Sequence, residues 1–270
     1  MEIISFRRPA NLFLVLALLL GAFTACQKKT ETAAAGSPVP AQAAPESAEV
    51  SAFAPAITGP VTPALVSQES DSITQYLHFP KDPEVAKLDG VVQFYCDITE
   101  TGAVEVTHAL IANNDAFKAA VQAALDWGHF TPATVAGKPV RVYLGGTVLF
   151  LHQNNEQLII VSLATHDRDR VAKIANYIQP QLIGGLRQTL EKMIRTLTKG
   201  VLVAGKAEAI VNVDPKGAVT GTSAISESPK DSGLGGLLNG ALRKAQFTPA
   251  YENGKPAAGG INVVADFAKF

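Results

Sequence analysis

Aromatic side chains are scarce in this chain: one tryptophan, five tyrosines and twelve phenylalanines make up 7% of its 270 residues. Ala, Val, Leu and Ile supply most of the apolar content, which suits small strands and helices and argues against a large aromatic-lined ligand pocket. Charge of one sign is also lacking. The formal net charge is -1, and no basic stripe is interleaved with aromatics, so nucleic acid is excluded as a partner. The apolar run Leu12–Ala25 has 14 residues, short of the roughly 20 that a membrane-spanning helix needs. Catalytic signatures are missing too. There is no His-Glu-x-x-His, no Gly-x-Ser-x-Gly and no Gly-Lys-Ser/Thr loop. His78, His108, His129, His152 and His166 show no ligand spacing. His166-Asp167-Arg168-Asp169 reads as a solvated helix start. The expectation is a non-enzyme without metal or cofactor.

What the chain has is a phrase used twice. Phe130-Thr131-Pro132-Ala133 is followed after three residues by Gly137-Lys138-Pro139. Phe247-Thr248-Pro249-Ala250 is followed after three residues by Gly254-Lys255-Pro256, 117 positions on. Ahead of each stands a hairpin signal, Gly102-Ala103-Val104 and Gly217-Ala218-Val219, 115 apart, and Gly90 and Gly205 open the strands before those turns with the same spacing. Four anchors in one order mean a duplicated module of roughly 100 residues.

The N-terminus reads as a secretory signal, with Arg7 and Arg8 ahead of the apolar Leu12–Leu20 and small residues up to Cys26. Ala25-Cys26 resembles a bacterial lipobox, with Phe23 in place of the usual aliphatic residue. The resemblance implies cleavage after residue 25 and lipid attachment at Cys26. Gln27 in the next position implies the outer membrane, by the sorting rule of Gram-negative envelopes. Two or three acyl chains hold firmly where one binds only marginally. Residues 26–70 are rich in Ala, Pro, Ser, Thr and Glu without an apolar period, and are expected to be a disordered tether. About 40 residues at roughly 3 Å each reach on the order of 100 Å. With Cys26 acylated, Cys96 has no partner in the chain, so the cores must supply the stability.

The first domain is expected over 71–165 and the second, with a linking helix, over 166–270. In the first, Val92, Phe94, Cys96 and Ile98 alternate with Gln93, Tyr95 and Asp97 along one strand. A second strand follows over about 103–111. Asn113, Asn114 and Asp115 offer caps for a helix with Phe117, Val121, Ala124 and Leu125 on one face. Trp127, at its end, reads as core. A strand over 139–151 is expected to bulge at Gly145-Gly146, and Leu158–Leu163 to form a hairpin with it. Val171, Ile174, Ala175 and Ile178 suggest the linking helix. In the second domain Leu186, Leu190, Met193, Ile194 and Leu197 form a helical stripe. Ala207, Ala209, Val211 and Val213 alternate inward, a Gly-rich helix spans about 234–244, and the last strand spans about 258–267. Cys96 has Val211 as its repeat partner, so it is a packing position. Each module reads helix–strand–strand–helix–strand, an α+β two-layer unit.

This order and these phrases resemble the C-terminal domain of the TonB family. The matching runs are Pro83-x-x-Ala86, Gly90-x-Val92, Gly102-x-Val104 and Trp127-x-x-Phe130-x-Pro132-Ala133 with Gly137-Lys138-Pro139-Val140. In the second module they are Pro180-Gln181-Leu182-Ile183-Gly184-Gly185, Gly217-x-Val219 and Phe247-x-Pro249-Ala250 with Gly254-Lys255-Pro256. The resemblance implies two tandem modules, each a three-stranded antiparallel sheet with helices on one face, that grip extended segments of envelope or outer-membrane transporter proteins by strand addition. The implied docking edges are the third strands, represented by Arg141 and Tyr143 in the first module and by Asn262, Val263 and Val264 in the second. Because Leu158–Leu163 covers the first, the second is the better dock. The chain departs from a TonB energy transducer in lacking an uncleaved inner-membrane helix, so the binding part of the role is what carries over. The alternatives are a structural lipoprotein whose modules self-associate, as in a homodimer, and a true transducer of outer-membrane transport.

Overall fold

The computed structural model describes residues 53–54, 57–153, 156–164, 176–197 and 204–269. The expected signal segment, the lipid-attachment residue Cys26 and the tether up to residue 52 lie outside them. So do His166–Asp169 and the linking-helix residues Val171, Ile174 and Ala175. The described residues fall in one compact unit of the α+β class. No described helix is long and apolar enough to cross a membrane.

Order begins earlier than the composition suggests. Strands β1 (Val61–Thr62) and β2 (Leu65–Val66) precede helix α1 (Ile73–Tyr76), which Ser72 caps with its side chain. The expected tether therefore ends before residue 70. The core of the first half is built on β3 (Gly90–Ile98), β4 (Val104–Ala112) and α2 (Asp115–Trp127). Asn114 accepts the Ala116 N–H as N-cap, and Phe117, Val121, Ala124 and Leu125 are the buried face. Trp127 is 71% exposed rather than core, because it occupies the last helical position, beyond that stripe. Then come β5 (Phe130–Thr131), β6 (Ala133–Val135), β7 (Lys138–Val140), β8 (Val142–Gln153) and β9 (Glu156–Ser162).

The expected strand over 139–151 is thus two strands, broken at Arg141. Gly145 and Gly146 sit in unbroken register with Tyr95 and Phe94 and do not bulge. Their lack of a side chain serves packing: a Cβ on Gly146 would stand 2.4 Å from the Phe94 ring. The register shifts occur on the other side of β3, at Tyr95/Cys96 and Asp97/Ile98.

In the second half Tyr177–Ile178 is strand β10 rather than the end of a helix, followed by β11 (Leu182–Ile183), α3 (Leu186–Leu197), β12 (Lys206–Val213) and β13 (Val219–Ser228). Helix α4 (Leu234–Arg243), β14 (Ala250–Glu252), β15 (Lys255–Ala257) and β16 (Gly259–Asp266) complete the chain.

The main sheets are antiparallel. In the first, β3 lies between β4 and β8, and the far edge of β8 carries both β9 and β11. In the second, β12 lies between β13 and β16. The ladders repeat the sequence spacing: Ile98 pairs Val142 as Val213 pairs Gly259, and Asp97 pairs Tyr143 as Asn212 pairs Gly260. β1 pairs β6 as β10 pairs β14, and β2 pairs β5 where Leu182 bridges Phe247. The segment 61–66 is therefore a lead-in to the first half, as 177–183 is to the second.

Each half has its own apolar core. Val92, Phe94, Cys96 and Ile98 pack on Phe117, Leu125 and Phe150. Ala207, Ala209, Val211 and Val213 pack on Leu186, Leu190, Leu238 and Phe247, and Tyr95 and Tyr143 of the first sheet join that second cluster. The polar-reading face of β3 is thus the surface on which the second half sits.

Candidate docking edges

Strand addition needs backbone groups at a sheet border with no strand alongside, and the hydrogen bonds at each border decide where such groups are free. On β8, Val142 and Tyr143 pair with Ile183 and Leu182, and Thr147–Gln153 pair with β9. The Arg141 carbonyl accepts the Gly184 N–H at 2.8 Å. The Gly145 carbonyl accepts the Gln179 side-chain amide at 2.7 Å. The Arg141 guanidinium pairs with Glu105 and, at 3.6 Å, with Glu100. The first expected dock is therefore filled from within the chain, by β11 as well as by the anticipated β9.

The second expected dock is partly filled as well. The Val264 N–H donates to the Tyr143 hydroxyl at 2.8 Å. Asn262 donates from Nδ2 to Glu208 at 3.1 Å. Val263 is fully buried in the core. Tyr143 and Val264, expected on two separate docking borders, are in fact each other's partners. Burial holds the Tyr143 hydroxyl well above its ordinary pKa, with the Val264 bond opposing. Neighbouring Tyr95 is pushed up to about 12, first by burial and then by the Glu208 carboxylate, with Asn262 opposing.

The alternation of the ladder follows from that bond. In an antiparallel pair the N–H and C=O of one residue face the same side. Val264 gives its N–H to Tyr143, so Gly260, Asn262 and Val264 turn away from β12. Opposite them Asn212, Ile210 and Glu208 turn toward β13, where they meet Gly221, Ser223 and Ser226. Thr222 and Ala224 consequently aim their backbone groups away from the sheet, between two register shifts that leave Thr220 and Ile225 unpaired. β13 pairs with β12 alone among the described strands, and most of it is exposed, with Ile225 at 49%. The corresponding border of β4 is obstructed: the Lys269 ammonium donates to the carbonyls of Thr107 and, at 3.3 Å, of His108.

The joint between the halves contains groups that sequence reasoning missed. Asp97 is fully buried, and its carboxylate accepts the Leu186 N–H at 2.8 Å and the Arg187 N–H at 3.0 Å. It thereby caps α3, where the helix dipole favours negative charge. His108 Nε2 lies 3.2 Å from the same carboxylate. Gly185, with φ of +74°, admits the contact, since a Cβ there would stand 3.1 Å from Asp97. The Gln181 side chain clasps the first lead-in, accepting the Ala64 N–H at 2.7 Å and donating to the Ala64 carbonyl at 2.9 Å. The available signal was the divergence between repeats, with Asp97 facing Asn212 and Tyr95 facing Ile210 in the alignment.

Cys96 is buried without a disulfide, and burial raises its thiol well above the ordinary value, with the Asp97 charge adding to the shift. Among the described residues no group of three or more His, Cys, Asp or Glu stands where it could hold a metal ion. No protein-family model, no curated protein and no solved structure matches this chain.

Proposed function

We propose that this chain is a lipid-anchored envelope protein of the TonB C-terminal kind, with two tandem modules, that holds extended segments of other envelope or outer-membrane transporter proteins by strand addition. In this reading Cys26 carries the lipid at the periplasmic face of the outer membrane, and the role is binding rather than catalysis. The repeated element order and the ladder registers support the kinship. The observation that carries the binding function is β13: its outer border has no strand beside it among the described residues, with Thr222 and Ala224 facing outward between two register shifts, while β8 is covered and β16 is held by Tyr143. Docking thus moves from the third strands to the second strand of the second module. Main-chain pairing gives such a site tolerance of sequence.

Proline tests this reading. Ala224 is exposed and its N–H faces outward, so Ala224→Pro removes a docking donor without removing a bond to β12. Capture of transporter N-terminal peptides by the full chain is expected to weaken at least about tenfold, a loss of roughly 1.4 kcal/mol. Unchanged capture refutes docking on β13. Absence of capture by the unaltered chain refutes the binding function.

A further inference from the structure

The two halves are joined by a contact that the chain makes once but has the parts to make again. Leu182, in the lead-in of the second half, points its backbone groups away from its own half. Gln181 and Ile183 are the residues that bond inward, through Thr248 and Gln246. Leu182 instead pairs with Tyr143 on the edge of β8. This is strand addition inside one molecule: a lead-in from one half completes the third strand of the half before it. Both residues of that rung are fully buried.

The same two surfaces recur with no strand paired to them among the described residues. The counterpart of Tyr143 is Gly260, which faces away from β12 by the alternation established above, on a strand that pairs with β12 alone among those described. The counterpart of Leu182 is Val66. Both N–H and C=O of Ala64 go to Gln181, so Leu65 turns to β5 and Val66 turns outward. Among the described strands β2 has only β5 beside it. Val66 and Gly260 are half-buried, Leu65 is 40% exposed, and Asn212, the counterpart of the helix-capping Asp97, is exposed. Gly259-Gly260 replaces Val142-Tyr143 at the edge: Gly259 makes room for the Tyr177 hydroxyl, which would stand 2.3 Å from a Cβ there, while Gly260 leaves space beside the strand where another backbone can approach.

We infer that the lead-in Leu65–Ser67 of one copy adds to the β16 edge at Gly259–Gly260 of a second copy, repeating between molecules the joint that links the two halves within one. The contact is heterologous: each copy offers the lead-in at one end and the edge at the other, so association continues as a ring or a chain rather than stopping at a symmetric pair. The occupant is a second copy because the complementary part is already seated on the equivalent edge inside each molecule. One feature differs: Gln68-Glu69 stands where the second lead-in has Gly184-Gly185, so the docked segment ends in a different turn from the one that brings α3 to Asp97. This inference does not depend on docking at β13.

The test uses the full chain in detergent, as an equal mixture of unlabelled and 15N-labelled copies, with a photo-activated cross-linker in place of Asn212. The expected result is concentration-dependent association beyond a dimer, with mixed-isotope cross-links from position 212 to the peptide containing residues 65–71. Two variants complete it. Gly260→Pro blocks the edge, and Leu65→Lys places a charge on an exposed lead-in side chain; each is expected to weaken association at least about tenfold while the melting temperature of Leu65→Lys stays at the wild-type value. A monomer at every concentration overturns the inference. So do cross-links confined to one isotope, association that stops at a symmetric β13-to-β13 dimer, and association that neither variant weakens. Peptide capture by Leu65→Lys reads the β13 function separately.

Discussion

Replacing Asp97 probes the joint between the two halves most directly. Its carboxylate accepts two amide protons at the start of α3 and stands beside His108, all at a fully buried position. In Asp97→Ala both amides lose their acceptor. Loss of an exposed helix cap costs about 1 kcal/mol, and a buried donor left unpaired costs about 1–3 kcal/mol. Removing a buried charge gives part of this back, because the carboxylate no longer has to be held out of water. That relief is limited here, since the positive end of α3 already meets the charge. The expected loss is about 3 kcal/mol. For a folded unit of this size that lowers the melting temperature by about 6–12 °C. Asp97→Asn keeps one oxygen acceptor and is expected to lose about half as much. Urea titrations of the wild type and both variants measure the difference, and amide exchange at Leu186 and Arg187 localises it. A double-mutant cycle with His108→Ala separates the imidazole contact from the cap. Asp97→Ala within about 0.5 kcal/mol of wild type, or Asn as damaging as Ala, would refute the capping argument.

Two further outcomes follow from the same structure. Alkali should loosen the joint: unfolded tyrosine titrates near 10, whereas Tyr95 is pushed to about 12 and Tyr143 is also raised. The folded state holds these protons more tightly, so their contribution is complete below about pH 10 and is lost as pH rises toward and past 12. Unfolding free energy should fall by roughly 1.4 kcal/mol per pH unit from Tyr95 alone in that window; urea curves that coincide from pH 9 to 11.5 would contradict this. Gly102→Ala and Gly217→Ala should each destabilise by more than about 2 kcal/mol. Both glycines have positive φ (+89° and +83°), and a Cβ would stand 2.0 Å and 2.5 Å from the carbonyl oxygens of Phe130 and Phe247. A stable alanine variant at either site, read by thermal melting, would show that the turn relaxes.

The duplication, the order of elements and the inward-facing residues were legible because each rests on local chemistry. Glycine at a positive-φ turn, asparagine ahead of a helix and period-two alternation all announce themselves within ten residues. The first lead-in did not, because Pro63-Ala64-Leu65-Val66 lies in an Ala/Pro-rich stretch and its two strands are two residues long. It was nonetheless detectable: Pro180-Gln181-Leu182-Ile183 follows it 117 positions later, one residue out of step with the structural match, in which Val66 and Leu182 stand opposite Phe130 and Phe247. The docking borders were legible as strands but not as occupied ones. Alternation in β3 states which side is apolar; it does not state that Tyr95 and Asp97 on the other side are met by a second module. Arg141 and Tyr143 read as edge residues, and they are, yet the strand that fills the edge comes from 40 residues downstream.

The divergence between the repeats shows how the two borders came to differ. At one position of the central strand the first module carries Asp97, buried beneath a helix; the second carries Asn212 in solvent. Two residues back, Tyr95 is buried and Ile210 is 36% exposed. An unpaired Asp at the position of Asn212 would carry a charge with no helix to cap, and an Asn at the position of Asp97 would cap α3 with one acceptor instead of two. The first sheet therefore carries the polar chemistry of a settled contact, and the second carries neutral groups at the same places, which neither require a partner nor repel one. A border left in that condition tolerates solvent in the free molecule and keeps the register of the filled border, since the ladder of β12 with β16 matches that of β3 with β8 residue for residue.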